Sequence, residues 1–285
     1  MSKNLLTRIA VAAIAIPIIL WIAYQGGLWL FGMLGLFAIL GISEFLIAEK
    51  IRVGSYAFLS IVFATITAFL LFSGVLEGTE ATWSFGIGVE PLMDGMFAMG
   101  GVFLIAGMAL AMGKDTPAVL FDRYIRIVWG VFYIGGLYSI VFYTGEEFAG
   151  VDGGDWLLLL FGILWVGDTA AMFTGKVLGK HKLAPSVSPN KTVEGFLGGI
   201  AGAIVTAVVI WYLRLDSIDL MDIVVIALGC SVFGQLGDLV ESMWKRSRGI
   251  KDSSAIIPGH GGVLDRFDSL LFAAPFLFAY TRLFV

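Results

Sequence analysis

Long apolar runs separated by short polar connections set the pattern of this chain. Runs of mostly apolar residues fall at 5–24, 28–48, 54–76, 95–113, 126–144, 156–175, 195–213, 222–242 and 266–284. Each approaches the ~20 residues that a helix needs to cross a bilayer. The pattern predicts an all-α, polytopic integral membrane protein with about nine transmembrane helices. The first two runs are separated by Gln25-Gly26-Gly27, a turn signal, so they are expected to form a helical hairpin. The first run lacks a small-residue cleavage pattern and reads as a retained helix rather than a removed signal peptide. Residues 1–150 carry about five spans and 151–285 the chemistry-bearing remainder, and the whole reads as one continuous membrane domain.

Composition agrees with this pattern. Hydrophobic residues make up 59% of the 285 and charged residues 14%, against about 25% charged in soluble domains. So few charges cannot cover the surface of a soluble fold of this length, whereas lipid accepts apolar side chains. A net charge of −4 gives no reason to expect a nucleic-acid partner. The lone Cys230 cannot form an internal disulfide and is expected as a small buried residue.

The distribution of charge says more than its sum. With the N-terminus inside, one side collects Lys3, Arg8, Lys50, Arg52, Lys114, Arg123, Arg126, Lys176, Lys180, Lys182, Lys191, Lys245, Arg246, Arg248, Lys251 and Arg266. Only Arg214 and Arg282 fall on the other, where Glu77, Glu80, Glu90, Asp94, Glu146, Glu147, Asp152, Asp155, Asp216, Asp219 and Asp222 gather. By the positive-inside rule the basic side, with the N-terminus, is cytoplasmic and the C-terminus lies outside. Gly195 with Gly199, and Gly198 with Gly202, form small-residue stripes that suit close helix packing within the chain or a dimer seam.

Most spans are free of charge through their middles, and three are not. The sixth, eighth and ninth runs reach bilayer length only by including Asp168, Asp238, and Asp265 or Asp268. An isolated carboxylate there costs roughly 3 kcal/mol or more, so it implies a partner, a metal or a water-filled cavity. Several at one depth on three helices predict a shared site on the cytoplasmic side. Asp238, Ser242 and Lys245 recur at helical spacing on one face. Glu44 reads instead as a helix-end charge. Clustered carboxylates suit a hard divalent cation such as Mg²⁺, and nearby basic residues suit phosphates. Between the last two spans lie Lys245, Arg246, Arg248, Lys251 and Asp252, then Pro258-Gly259-His260-Gly261-Gly262, a basic stretch followed by a turn with exposed backbone N–H groups. The loop between the sixth and seventh spans adds Lys176, Lys180, Lys182, Ser186, Ser188 and Lys191. Together these point to a Mg²⁺–nucleoside triphosphate site. The run Gly175 to His181 is not a Walker A loop, because its glycines are one residue too close and His replaces Ser/Thr. With His181, His260 and one cysteine, a His/Cys zinc site is not expected.

The stretch from Ser242-Met243-Trp244-Lys245-Arg246 through Pro258-Gly259-His260-Gly261-Gly262-Val263-Leu264-Asp265-Arg266-Phe267-Asp268 closely resembles the signature of the phosphatidate cytidylyltransferases, the CDP-diacylglycerol synthases. Gly167-Asp168-Thr169, Ser188-Pro189-Asn190-Lys191-Thr192-Val193-Glu194-Gly195 and Gly237-Asp238-Leu239-Val240-Glu241-Ser242 are similar to the same family. The likeness is sharp over 167–268 and rests on topology alone before that; Trp244 stands where the family usually has a smaller residue.

The resemblance implies that CTP and phosphatidic acid give CDP-diacylglycerol and pyrophosphate, with Mg²⁺ and a second cation such as K⁺. It also implies a homodimer in the lipid bilayer, in a bacterial inner membrane. On it, Asp238, Asp265 and Asp268 are expected to bind metal, and Lys245, Arg246, Lys251 and Arg266 to neutralise phosphates. Lys180, Ser188 and Lys191 are expected to hold CTP or the lipid phosphate. His260 would bond a phosphate or the cytosine, or orient the loop. Asp168 would order the site through a lysine, with Glu194, Ser242, Asp252, Gly261 and Gly262 completing the substrate surface. Two other readings of the acids stand beside this one: a secondary transporter with an intramembrane acidic site, and a nucleotide-dependent polyprenol or phytol kinase.

Overall fold

The computed structural model describes residues 3–73, 101, 115–146, 148 and 150–285. Its helices are α1 (Lys3–Gln25), α2 (Gly27–Ala48), α3 (Tyr56–Phe72), α4 (Pro117–Val131), α5 (Leu137–Thr144), α6 (Gly153–Leu178), α7 (Val193–Arg214), α8 (Leu220–Ser247) and α9 (Leu264–Phe284). A short antiparallel hairpin, β1 (Lys182–Ala184) and β2 (Ser188–Thr192), precedes α7. Seven helical stretches are long and apolar enough to cross a membrane. They match seven of the nine expected spans, so the chain is an all-α polytopic membrane protein. The third expected span is a shorter apolar helix, and the fourth, 95–113, lies almost wholly outside the described residues.

One boundary differs clearly from the sequence pattern. The span expected at 126–144 begins instead at Pro117 and runs through a π-helical turn, Phe132–Gly136, to Thr144. Thr116 in extended conformation followed by Pro at the first helical position starts it. Its early charges are matched locally. Arg126 bonds Asp122 one turn away and Glu49 at 2.9 Å, and Arg123 pairs with Asp115 at 2.9 Å.

The chain divides into two compact units, one made of 1–31 with 143–285 and the other of 32–142. In the second, α3 and α4 pack around the π-helical turn. There a Cβ on Gly135 would lie 2.9 Å from the Thr65 carbonyl oxygen, so the two backbones touch.

The first unit carries the chemistry. Asp152 and Asp219 cap α6 and α8 by accepting from Gly154 N and Met221 N. The glycine stripe of α7 faces α6: side chains added at Gly195, Gly198, Gly199 or Gly202 would meet Ala171, Thr174 or Ala170. The stripe therefore serves close packing inside the chain. On α8, Gly229 lies against Phe276 of α9, and a Cβ at Gly237 would stand 2.7 Å from the Asp268 carbonyl. This contact brings Asp238 beside the helix that carries Asp268. Cys230 is buried, as its sequence setting suggests.

Candidate active site

Three helices and one hairpin build the site. Asp168 lies on α6, Asp238 and Glu241 on α8, and Asp265 and Asp268 in the first turns of α9. Asp168 stands within electrostatic range of Asp268, Asp238, Lys191 and Arg266. The hairpin delivers the cation: Lys191, on β2, places Nζ 2.6 Å from Asp238 Oδ2. Ser242, one turn along α8, donates to Asp238 Oδ1 at 3.3 Å. Asp268 accepts from its neighbour Ser269 N at 2.7 Å, and its carboxyl lies within electrostatic range of Glu241.

Glu241 was not among the expected site residues. It is 0% exposed. Its Oε2 accepts from Lys245 Nζ at 2.8 Å, while Oε1 is buried with no hydrogen-bond partner among the described residues. The sequence signal for it was the i, i+4 spacing to Lys245 one turn beyond Asp238, which is easily taken for a surface pair.

Asp265 takes four hydrogen bonds from within the protein. Its Oδ2 accepts from Ser253 N at 2.8 Å, Ser253 Oγ at 2.9 Å and Gly262 N at 2.8 Å. Its Oδ1 accepts from Lys245 Nζ at 2.6 Å. It therefore clips the loop before α9 to the helix. Gly261, at φ +85°, is required there, since a Cβ would lie 2.7 Å from that carboxylate. The ammonium of Lys245 is buried between Glu241 and Asp265. It acts as an internal counter-ion to those acids and does not face solvent.

The remaining expected residues form a rim. Glu194 accepts from the backbone N of Lys180 at 3.0 Å and from His181 Nδ1 at 2.6 Å, tying the start of the hairpin to α7. Thr192 caps α7 by accepting from Gly195 N. Arg246 donates to Val187 O in the hairpin turn at 3.4 Å and to Ile250 O at 3.0 Å. Ser188 and His260 are half-buried, while Lys180, Lys251, Asp252 and Arg266 are exposed. His260 Nδ1 comes 3.5 Å from Pro258 O.

Among the described residues no three of these acids form a ready-made metal cage. The donor set nonetheless fits a hard cation. Carboxylate oxygens from three helices converge, Lys191 and Lys245 offset only part of their charge, and one buried oxygen of Glu241 lacks a donor among the described residues.

A family model described as the cytidylyltransferase family matches residues 6–284. Proteins named phosphatidate cytidylyltransferase are similar over nearly the whole chain. That of Staphylococcus haemolyticus (strain JCSC1435) is 33% identical over 270 residues, covering 95% of this chain and 96% of that protein. That of Staphylococcus epidermidis (strain ATCC 12228 / FDA PCI 1200) is 36% identical over 271 residues, with coverage of 95% and 96%. The protein of that name from Bacillus subtilis (strain 168) is 46% identical over 166 residues, covering 58% of this chain and 60% of its own length.

Proposed function

The chain belongs to the cytidylyltransferase family, and from that premise we propose that it joins CTP to phosphatidate, giving CDP-diacylglycerol and pyrophosphate. One phosphate oxygen of phosphatidate forms a bond to the α-phosphorus of CTP. The bond from that phosphorus to the oxygen bridging to the β-phosphate breaks, and pyrophosphate leaves with the electron pair. The nucleophile is already present on the lipid, so the chain's own residues bind, orient and neutralise charge.

The observation that carries this reading is the gathering of Asp168, Asp238 and Asp268 from three helices, with the hairpin cation Lys191 paired to Asp238. A divalent cation, Mg²⁺ by the chemistry of oxygen donors, would be held by Asp238 and Asp268 with Glu241 beside them. Asp265 joins them only by releasing Lys245. When bound, the ion neutralises phosphate oxygens and eases departure of pyrophosphate. Lys191, paired with Asp238 in the structure, would be free to meet phosphate if a cation took its place on that carboxylate. Asp265 holds the loop 249–262 so that its backbone N–H groups and His260 meet the nucleotide. Arg246, Lys251 and Arg266 lie at the rim, where polyanions enter. K⁺ is the proposed second cation. The site lies on the cytoplasmic side of a bacterial plasma membrane, a placement supported by the basic residues gathered there.

The test is release of pyrophosphate by the purified full chain given phosphatidate and CTP. Turnover that requires phosphatidate, a divalent cation and CTP in place of ATP supports the proposal. Turnover with ATP and a polyprenol, or solute transport without nucleotide turnover, overturns it.

A further inference from the structure

The loop before α9 is held at two places, and one of them lies far away in sequence. At its C-terminal side Gly262 N and Ser253 bond Asp265. At its tip Arg8, in the second turn of α1, donates from Nε to Gly259 O at 2.7 Å. The two residues are also packed together, since a Cβ on Gly259, at φ +76°, would come 3.0 Å from Arg8 Cγ. Within the tip, Ile257 N donates to Gly261 O at 2.9 Å and His260 N to Ile257 O at 2.9 Å. His260 is thus framed between a point fixed by α1 and a point fixed by α9.

We propose that Arg8 is a positioning residue for nucleotide binding: its hydrogen bond to Gly259 O holds the 257–262 turn in the shape that presents His260 and the backbone N–H groups to the phosphates of CTP. The inference rests on the cytidylyl-transfer reading above. It makes α1 part of the active site, although the signature residues quoted from the sequence all lie in 167–268. The guanidinium suits the task because its planar Nε–H approaches the carbonyl in a fixed direction, whereas a lysine ammonium on a flexible stem fixes distance alone.

Two measurements on the full chain in detergent test it. The first needs no turnover: trypsin cleavage at Arg248 and Lys251, which lie in the same loop just before the turn, compared among the unsubstituted chain, Arg8→Ala and the control Arg52→Ala. We expect faster cleavage in Arg8→Ala alone, and equal rates in all three overturn the latch. The second is kinetic. In Arg8→Ala the KM for CTP rises about 3- to 10-fold, the value of one ordinary hydrogen bond, while the KM for phosphatidate stays unchanged. Arg8→Lys recovers part of the loss, and millimolar guanidinium restores Arg8→Ala. A KM for CTP that stays unchanged, or an equal change in both KM values, overturns the positioning role. If the unsubstituted chain itself lacks CTP-dependent turnover, the functional reading fails, while the cleavage rates still decide whether the latch exists.

Discussion

At one end of α6–α9, several charged groups meet partners from the protein itself. Asp155 of α6 accepts from Arg214 of α7 at 2.9 Å, and Arg214 also donates to Tyr24 of α1 at 2.6 Å. Asp222 of α8 accepts from Tyr280 of α9 at 2.9 Å. Arg282 lies over the rings of Phe148 and Phe278. At the other end of the same helices, Asp168, Asp238, Glu241, Asp265 and Asp268 gather around Lys191 and Lys245, and one oxygen of Glu241 has no donor among the described residues. At the first end these named charges are closed by protein partners. The second keeps an excess of acid in a setting where unmatched charge is expensive. That excess is understandable if a cation and a polyphosphate complete it. Opposite ends of one helix group thus separate charge matched within the fold from charge suited to a ligand.

Substitutions at the two ends test this contrast. The largest effect is expected from Asp238→Asn, which keeps the size of the side chain but removes a cation ligand and the partner of Lys191. Turnover should fall by about 1,000-fold with the chain still folded, as read by pyrophosphate release and size-exclusion chromatography. Turnover within tenfold of the unsubstituted chain would break the contrast. Lys245→Ala comes next. It leaves Glu241 and Asp265 without their shared cation, and breaking a buried pair costs about 3–5 kcal/mol, seen as a lowered unfolding midpoint in detergent. The companion Glu241→Gln separates the two roles. It removes buried negative charge, so the midpoint holds or rises while Mg²⁺-dependent turnover drops. Gly261→Ala forces a side chain into φ +85° beside Asp265. A strained position of this kind costs roughly 1–3 kcal/mol, and the KM for CTP should rise as the loop shifts. The smallest effect belongs to the closed end. Arg214→Gln should leave turnover within about twofold, because a substitution remote from the chemistry changes little. A larger kinetic loss there would show that the two ends are not independent.

Much of this site was legible in the sequence, for a physical reason. Charges are so costly in apolar spans that Asp168, Asp238 and Asp268 stood out against their neighbours, whereas Lys191, expected to hold a phosphate, pairs with Asp238. Glu241 and Arg8 were hidden. Glu241 sits at the spacing of an ordinary helix ion pair, and its complete burial follows from Gly237, which lets α9 approach. Arg8 looked like one of many inside-facing basic residues at a span's edge, and its contact spans 251 positions. The separate duties of Asp265 and Asp268, three residues apart, were also illegible, because one points back to the loop and the other faces Glu241. In the fold, the start of the span at Pro117 was missed because Asp122, Arg123 and Arg126 look unfit for a membrane helix until their partners are seen.

The most direct test is binding of Mn²⁺, a paramagnetic stand-in for Mg²⁺, to the purified chain, followed by electron paramagnetic resonance without nucleotide. We expect saturable binding that is retained in Asp155→Asn and lost in Asp238→Asn. Equal binding by both variants, or none by the unsubstituted chain with or without CTP, would contradict a cation site in the acidic end of α6–α9.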